Sequence, residues 1–110
     1  MKQIGCFEID VFKHGVKIFV GLPDGLKANT EAHTEIIFDE QLVNLYFKTK
    51  TPELHYVMHE CIHAADFILN AIGADMGTNA NDSEVRAYLA EYIYSMVGVK
   101  LGFMKTKKGA

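Results

Sequence analysis

Residues 51–73 read TPELHYVMHECIHAADFILNAIG, and this stretch decides the fold that we expect for the chain. Its apolar residues return every three or four positions, which is the pattern of a helix with one wide apolar face. Thr51 is the expected N-cap, Pro52 takes the first helical position, and Gly73 follows the last apolar residue. We therefore predict a helix from Pro52 to residue 70 or 72, with an apolar face that must pack against another layer.

A second helix is expected downstream, after a short loop over residues 74–80. It starts near Asn81 or Asp82 and runs to about residue 97, with apolar side chains along one stripe. Gly98 and Gly102 then interrupt the pattern. Because the loop is short, the two helices are expected to pack against each other, antiparallel or crossed.

The residues upstream of the first helix read as β-strands. The predicted strands are residues 4–12, 16–20, 34–38 and 42–47. Lys13-His14-Gly15 predicts a tight hairpin turn with Gly15 at a positive φ, and residues 22–32 predict a loop around Pro23-Asp24-Gly25. Residues 1–110 are therefore expected to form a single α+β domain, with a small three- to four-stranded sheet followed by two helices.

The composition is that of one folded domain and argues against several classes of partner. The chain has 110 residues, of which 49% are hydrophobic and 23% charged, and a formal net charge of -3. This charge gives no reason to expect a nucleic-acid partner, and no apolar run reaches the length of about 18 residues that a membrane span needs. The N-terminus meets charge early, so we expect no signal peptide, a cytoplasmic location and free thiols at Cys6 and Cys61.

The segment HECIH at residues 59–63 lies in the middle of the first predicted helix. A helix turns by about 100° per residue, so His59 and His63 lie about 40° apart on successive turns. Two imidazoles at this spacing can bind one ion with bonds of about 2 Å, as tetrahedral zinc requires. Glu60 lies beside them and can bind a metal-bound water without ligating the metal. We predict one Zn²⁺ per chain; the alternative is an ordinary amphipathic helix with two surface histidines.

A catalytic zinc ion usually has three protein ligands and one water, so the two histidines need a third partner. No third histidine follows at the spacing HExxHxxGxxH. Glu84 lies 21 residues after His63, near the start of the second predicted helix, and is the predicted third ligand. A capping box with Asn81 is the alternative interpretation of Glu84, and Asp82 and Glu91 are competing ligands.

Three further polar residues share the histidine face of the first predicted helix. His55 precedes His59 by four residues, and it is expected to be a surface residue or a wall of the substrate cleft. Asp66 and Asn70 follow on the same face and can accept N–H bonds from the ligand imidazoles, which would fix their tautomers. The alternative for both is a solvated position on the helix.

Two tyrosines follow Glu84 along the second predicted helix. Tyr88 and Tyr92 lie one and two turns beyond it, and either phenol could stabilise an oxyanion; packing on a half-buried helix is the alternative. His14 and His33 are expected in loops and are assigned no role.

The run VMHECIHAA at residues 57–65, followed by NDSEVRAYLAEYI at residues 81–93, resembles small HExxH proteins encoded by bacteriophages. More broadly, the sequence is similar to the minimal gluzincin peptidases, which have a small sheet, an HExxH helix and a glutamate-bearing helix. The resemblance covers roughly residues 34–97. It implies a zincin-like fold, and for a phage-encoded protein the bacterial host cytoplasm as location.

The resemblance also implies zinc on His59, His63 and Glu84, with Glu60 as the general base. In larger gluzincins a separate histidine or tyrosine from a further subdomain polarises the substrate carbonyl, and we expect no such subdomain here.

The predicted function is hydrolysis of a peptide bond by a zinc-bound water, with a peptide or protein as substrate. An edge strand over residues 34–38 would hold the peptide by strand addition. Two alternatives are a non-catalytic, zinc-stabilised protein-binding module and a zinc hydrolase of a non-peptide amide. The sequence makes no prediction of the oligomeric state.

Overall fold

The computed structural model of the chain describes residues 1–76 and 83–105. Its regular elements are β1 (Lys2–Ile9), β2 (His14–Val20), β3 (Ala32–Ile37), β4 (Leu42–Phe47), α1 (Leu54–Met76) and α2 (Ser83–Leu101). The predicted α+β arrangement of one small sheet followed by two helices is confirmed. Asn81 and Asp82, the expected start of the second helix, lie outside the described residues.

The four strands form one sheet in the order β1-β2-β4-β3. β1 and β2 form an antiparallel hairpin, as do β3 and β4, and the two hairpins meet through a parallel pairing of β2 with β4. β1 and β3 are therefore the two edges of the sheet. These edges matter below, because one helix lies beside each of them.

Both hairpins have the same turn conformation. The prediction of a turn with Gly15 at a positive φ is wrong. A 3-10 turn at Asp10–Phe12 closes the first hairpin and one at Phe38–Glu40 closes the second. The left-handed residue that follows is Lys13 (φ 57°) in one turn and Gln41 (φ 51°) in the other. Gly15 lies inside β2 instead, opposite Glu8. A single left-handed non-glycine residue costs only about 1–2 kcal/mol, which strand pairing on both sides offsets.

The core lies between one face of the sheet and the two helices. The central strands contribute Val16, Ile18, Val43, Leu45 and Phe47, all fully buried. They pack against Val57, Cys61, Ala64 and Ile68 of α1 and Ile93 and Val97 of α2. The apolar stripe that predicted α1 is thus the stripe that covers the sheet.

The start and end of α1 differ from the prediction. The Glu53 carbonyl accepts hydrogen bonds from the N–H groups of Tyr56 (3.0 Å) and Val57 (3.4 Å), so the helix begins after Glu53 and Thr51 is not its N-cap. Gly73 does not end the helix, which continues to Met76. A glycine inside a helix costs about 1 kcal/mol, which is too little to stop a helix that is packed along its length.

The end of α2 is set by two glycines with different roles. Gly102 adopts φ 93° after the last helical residue, and its N–H bonds to the Val99 carbonyl at 3.2 Å. The N–H of Phe103 bonds to the Gly98 carbonyl at 3.0 Å, which completes a Schellman motif. Gly98 lies inside the helix, and a Cβ there would be 2.8 Å from the ring of Phe103. Gly98 therefore allows the chain after the helix to fold back.

The two helices run antiparallel. An ion pair between Asp66, in the second half of α1, and Arg86, near the start of α2, joins them. Within the described residues, neither helix is long and apolar enough to cross a membrane.

Candidate functional site

The two histidines of the HECIH segment lie on the exposed side of α1 and face each other. The Nε2 atoms of His59 and His63 are 3.0 Å apart, within hydrogen-bond distance of each other. Two nitrogens that each bind a tetrahedral zinc ion at about 2.0–2.1 Å are about 3.3 Å apart. The pair therefore needs only a small adjustment to bind one ion.

Glu60 lies on a different side of α1 from the histidines, turned toward the sheet. Its residue is buried, with 7% of its surface exposed, whereas His59 and His63 are exposed. The Thr34 hydroxyl on β3 donates to Oε1 of Glu60 at 2.5 Å. A carboxylate that is removed from water needs such a donor, and the short distance is typical of a charge-assisted hydrogen bond. The edge strand thus fixes the orientation of Glu60.

A hollow of about 300 Å³, which we call the edge-strand cleft, lies between parts of β3 and α1. Its lining consists of Ala32, His33, Thr34, Glu60, His63 and Phe67. The cleft therefore brings together the predicted general base and one predicted zinc ligand. His33 lies in β3 and not in a loop as expected, and its ring stacks on Tyr46 with centroids 6.2 Å apart.

The free edge of β3 runs along this cleft. The Lys48 N–H donates to the Glu31 carbonyl at 3.0 Å, just beyond the paired strands. Hydrogen-bonded residues alternate along an antiparallel pair, so Ala32, Thr34 and Ile36 direct their backbone N–H and C=O groups away from β4. Their side chains share the face of β3 that carries the Thr34–Glu60 contact. The sequence could not show that Thr34 is the residue that positions Glu60.

The third zinc ligand is not assembled in the structure. In residues 1–76 and 83–105, no three His, Cys, Asp or Glu side chains are grouped so that they could bind one metal ion. Glu84 lies in the first turn of α2 and is exposed. The Asp66–Arg86 pair places Glu84 beyond Asp66, more than one turn from His63, if the antiparallel register continues.

The same register brings Glu91 closer to the level of the histidines. Counting from the Asp66–Arg86 pair along two antiparallel helices would put Glu91 at about the level of Cys61. A hollow between the helices is lined by Glu91 together with Met58 and Ile62, the neighbours of the two histidines. Glu91, a competing ligand in the sequence analysis, is therefore nearer to the required height on α2 than Glu84.

Two polar neighbours of the histidines on α1, Asp66 and His55, have partners other than the imidazoles of the pair. Both carboxylate oxygens of Asp66 accept from Arg86, at 2.5 Å from Nε and 3.1 Å from Nη2. These hydrogen bonds raise the pKa of Arg86 above its ordinary value. Asn70 and His55 are both exposed on the surface of α1. Nδ1 of His55 lies 3.3 Å from a carboxylate oxygen of Glu53. The geometry links Asp66 to α2 and not to an imidazole.

Tyr88 and Tyr92 are not brought to the edge-strand cleft. They line a second hollow of about 520 Å³, which we call the tyrosine groove. Its lining consists of Glu8, Ile9, Asp10, Val11, Phe12, Val85, Tyr88, Leu89 and Tyr92. The Tyr92 ring also makes an edge contact with Phe7 in the core, with centroids 6.1 Å apart. This placement gives no support to the predicted oxyanion role of either phenol.

Cys61, inside the HECIH segment, faces the core. Burial, with a smaller contribution from the nearby Glu60, raises the pKa of its thiol from 9.0 to about 12. The thiol is therefore neutral at physiological pH and packs as a small apolar side chain in the core. Cys6 is exposed, and neither cysteine forms a disulfide.

No protein family, curated protein or solved structure matches this chain.

Proposed function

We propose that this chain is a zinc-dependent metallopeptidase that hydrolyses a peptide bond, with Glu60 as the general base. One observation carries the proposal: the Glu60 carboxylate, bonded to Thr34, lines a cleft together with His63, one of the two facing histidines. The cleft lies between a helix and a free strand edge, which is where an extended peptide can bind.

The two histidines present nitrogen atoms that fit one zinc ion. Their Nε2 atoms face each other 3.0 Å apart on the exposed surface of α1. A bound zinc ion would act as a Lewis acid and lower the pKa of a coordinated water toward 7. For the third protein ligand we retain Glu84, which the resemblance implies, and add Glu91 as the alternative that the helix register favours.

The residues of the cleft have different roles in the proposed hydrolysis. Glu60 takes a proton from the attacking water and later transfers it to the leaving amine. The Thr34 hydroxyl holds the carboxylate in one orientation for both transfers. The outward N–H and C=O groups of Ala32, Thr34 and Ile36 would pair with the backbone of an extended substrate.

Metal binding is tested first, by elemental mass spectrometry of protein purified without a metal-affinity tag. We expect one zinc ion per chain in the parent and loss of about a hundredfold or more in zinc affinity for His63→Ala. His55→Ala is the matched control, because His55 lies on the same helix but outside the histidine pair and should leave zinc binding unchanged. A parent that takes up no zinc when zinc is offered would exclude the proposal.

The third ligand is tested by comparing Glu84→Gln with Glu91→Gln in the same assay. The variant of the true ligand should bind zinc at least about tenfold more weakly, while the other should match the parent. If neither variant changes the zinc affinity, α2 supplies no ligand.

Catalysis is tested with Glu60→Gln, on casein-like peptides and on cell-wall fragments in parallel. General-base catalysis contributes about 10²–10⁴-fold, so cleavage should fall by that factor while zinc stays bound. Undiminished cleavage would remove Glu60 from the mechanism. Cleavage of the cell-wall amides alone would instead identify a hydrolase of non-peptide amides.

A zinc-stabilised binding module without catalysis is the second candidate function. It is favoured by the burial of Glu60 and its existing bond to Thr34, which leave this carboxylate little access to water. In that case zinc binding should raise the thermal stability of the parent and of Glu60→Gln equally, with no cleavage by either.

A further inference from the structure

The tyrosine groove exposes more apolar surface than the fold requires. Val11 is 84% exposed and Tyr88 is 67% exposed, and the two lie on opposite walls of the groove. Val85 and Tyr92 extend the exposed apolar surface along α2. A cluster of exposed apolar side chains around a hollow is typical of a binding surface, whereas scattered single ones are not.

The second hairpin shows that the turn itself does not need these apolar residues. The two 3-10 turns have the same conformation, including the left-handed residue that follows each. Where the first turn has Val11 and Phe12, the second has Asp39 and Glu40. Phe12 packs partly against the core, but Val11 is not part of it. The exposed valine is therefore explained neither by the turn nor by the core.

The charge beside the groove indicates what kind of partner fits it. Asp10 lines the same hollow and is exposed. The Glu8 carboxylate lies beside Gly15 instead, on the face of the sheet opposite the core. Within residues 1–76 and 83–105, the Asp10 carboxylate has no ion-pair partner. A carboxylate at the rim repels anionic lipid and nucleic acid and attracts lysine or arginine.

We propose that the tyrosine groove is a docking site for a protein partner, which contributes an amphipathic segment with large apolar side chains flanked by lysine or arginine. The apolar side chains would lie between Val11 and Tyr88, and a basic group would pair with Asp10. This surface lies at the opposite edge of the sheet from the edge-strand cleft, so the inference does not depend on the proposed peptidase activity.

The proposal is tested with two labelled amphipathic peptides, one of leucine and lysine and one in which every lysine is replaced by glutamate. Fluorescence anisotropy against the full chain should show at least about tenfold tighter binding of the lysine peptide, weakening as salt is added. Val11→Ser and Tyr88→Ser should each weaken that binding by about tenfold. Asp10→Asn should weaken it severalfold and reduce its salt dependence.

The second turn supplies the matched control. Asp39→Asn/Glu40→Gln removes two carboxylates from the equivalent turn and should leave the affinity unchanged. Equal binding of the two peptides, or unchanged affinity in Val11→Ser and Tyr88→Ser, would overturn the proposal. A dimer seen by light scattering in the parent and lost in both serine variants would assign the groove to a second copy of this chain and would also overturn it.

Discussion

The edge-strand cleft and the tyrosine groove are each formed by one helix and one edge of the same sheet, but their surfaces differ. At the β3 edge, Thr34 and Glu60 bond to each other beside a histidine pair. At the β1 edge, exposed apolar side chains surround a larger hollow, and the Asp10 carboxylate at its rim has no ion-pair partner within residues 1–76 and 83–105. Chemistry needs groups held in one geometry, whereas docking needs apolar area and complementary charge. The two surfaces should therefore respond to different substitutions.

Among substitutions that break a polar contact, Thr34→Val in the edge-strand cleft is expected to have the largest effect on stability. This change leaves the buried Glu60 carboxylate without its hydroxyl donor at 2.5 Å. An unsatisfied buried group costs about 1–3 kcal/mol, so the free energy of unfolding in urea should fall by that amount. Thr34→Ser keeps the hydroxyl and should retain most of the parent's stability.

Equal stability of Thr34→Val and the parent would show that the bond does not hold Glu60 in solution. Peptide binding at the tyrosine groove is the internal check, because it should be the same for the parent and both Thr34 variants.

Much of the fold and half of the candidate site could be predicted from the sequence. β4 was predicted at residues 42–47 with the observed ends, because its β-branched and aromatic run is bounded by polar residues. The facing of His59 and His63 follows from helix geometry alone. Features of this kind depend on residues that are neighbours in the chain.

The other half depends on contacts that have no local signature. The Thr34–Glu60 bond joins residues 26 positions apart, so nothing around either residue could indicate it. The register of α2 on α1 depends on packing and on the Asp66–Arg86 pair, and it determines how near Glu84 and Glu91 each lie to the histidines. The left-handed turn residues Lys13 and Gln41 carry no glycine signal either.

A smaller effect is expected from Asp66→Asn, which breaks the ion pair between the helices. The pair is partly exposed, so the free energy of unfolding should fall by no more than about 1 kcal/mol. If an α2 carboxylate ligates zinc, the same change should weaken zinc affinity by about tenfold, measured by chelator competition, because it loosens the start of α2. Glu53→Gln breaks an exposed pair at the start of α1, away from α2, and should change neither quantity.

The smallest effect is expected from Val11→Ser at the tyrosine groove. Val11 is 84% exposed and lies on a turn that accepts aspartate at the equivalent position in the other hairpin, so its side chain contributes almost nothing to folding. The free energy of unfolding should stay within about 0.5 kcal/mol of the parent. Ile9→Ala, two residues away and buried, should cost about 2–5 kcal/mol in the same urea titration. A loss above about 1 kcal/mol for Val11→Ser would mean that the groove wall is part of the core. A negligible loss, combined with weaker peptide binding, would show that this apolar surface serves a partner and not the fold.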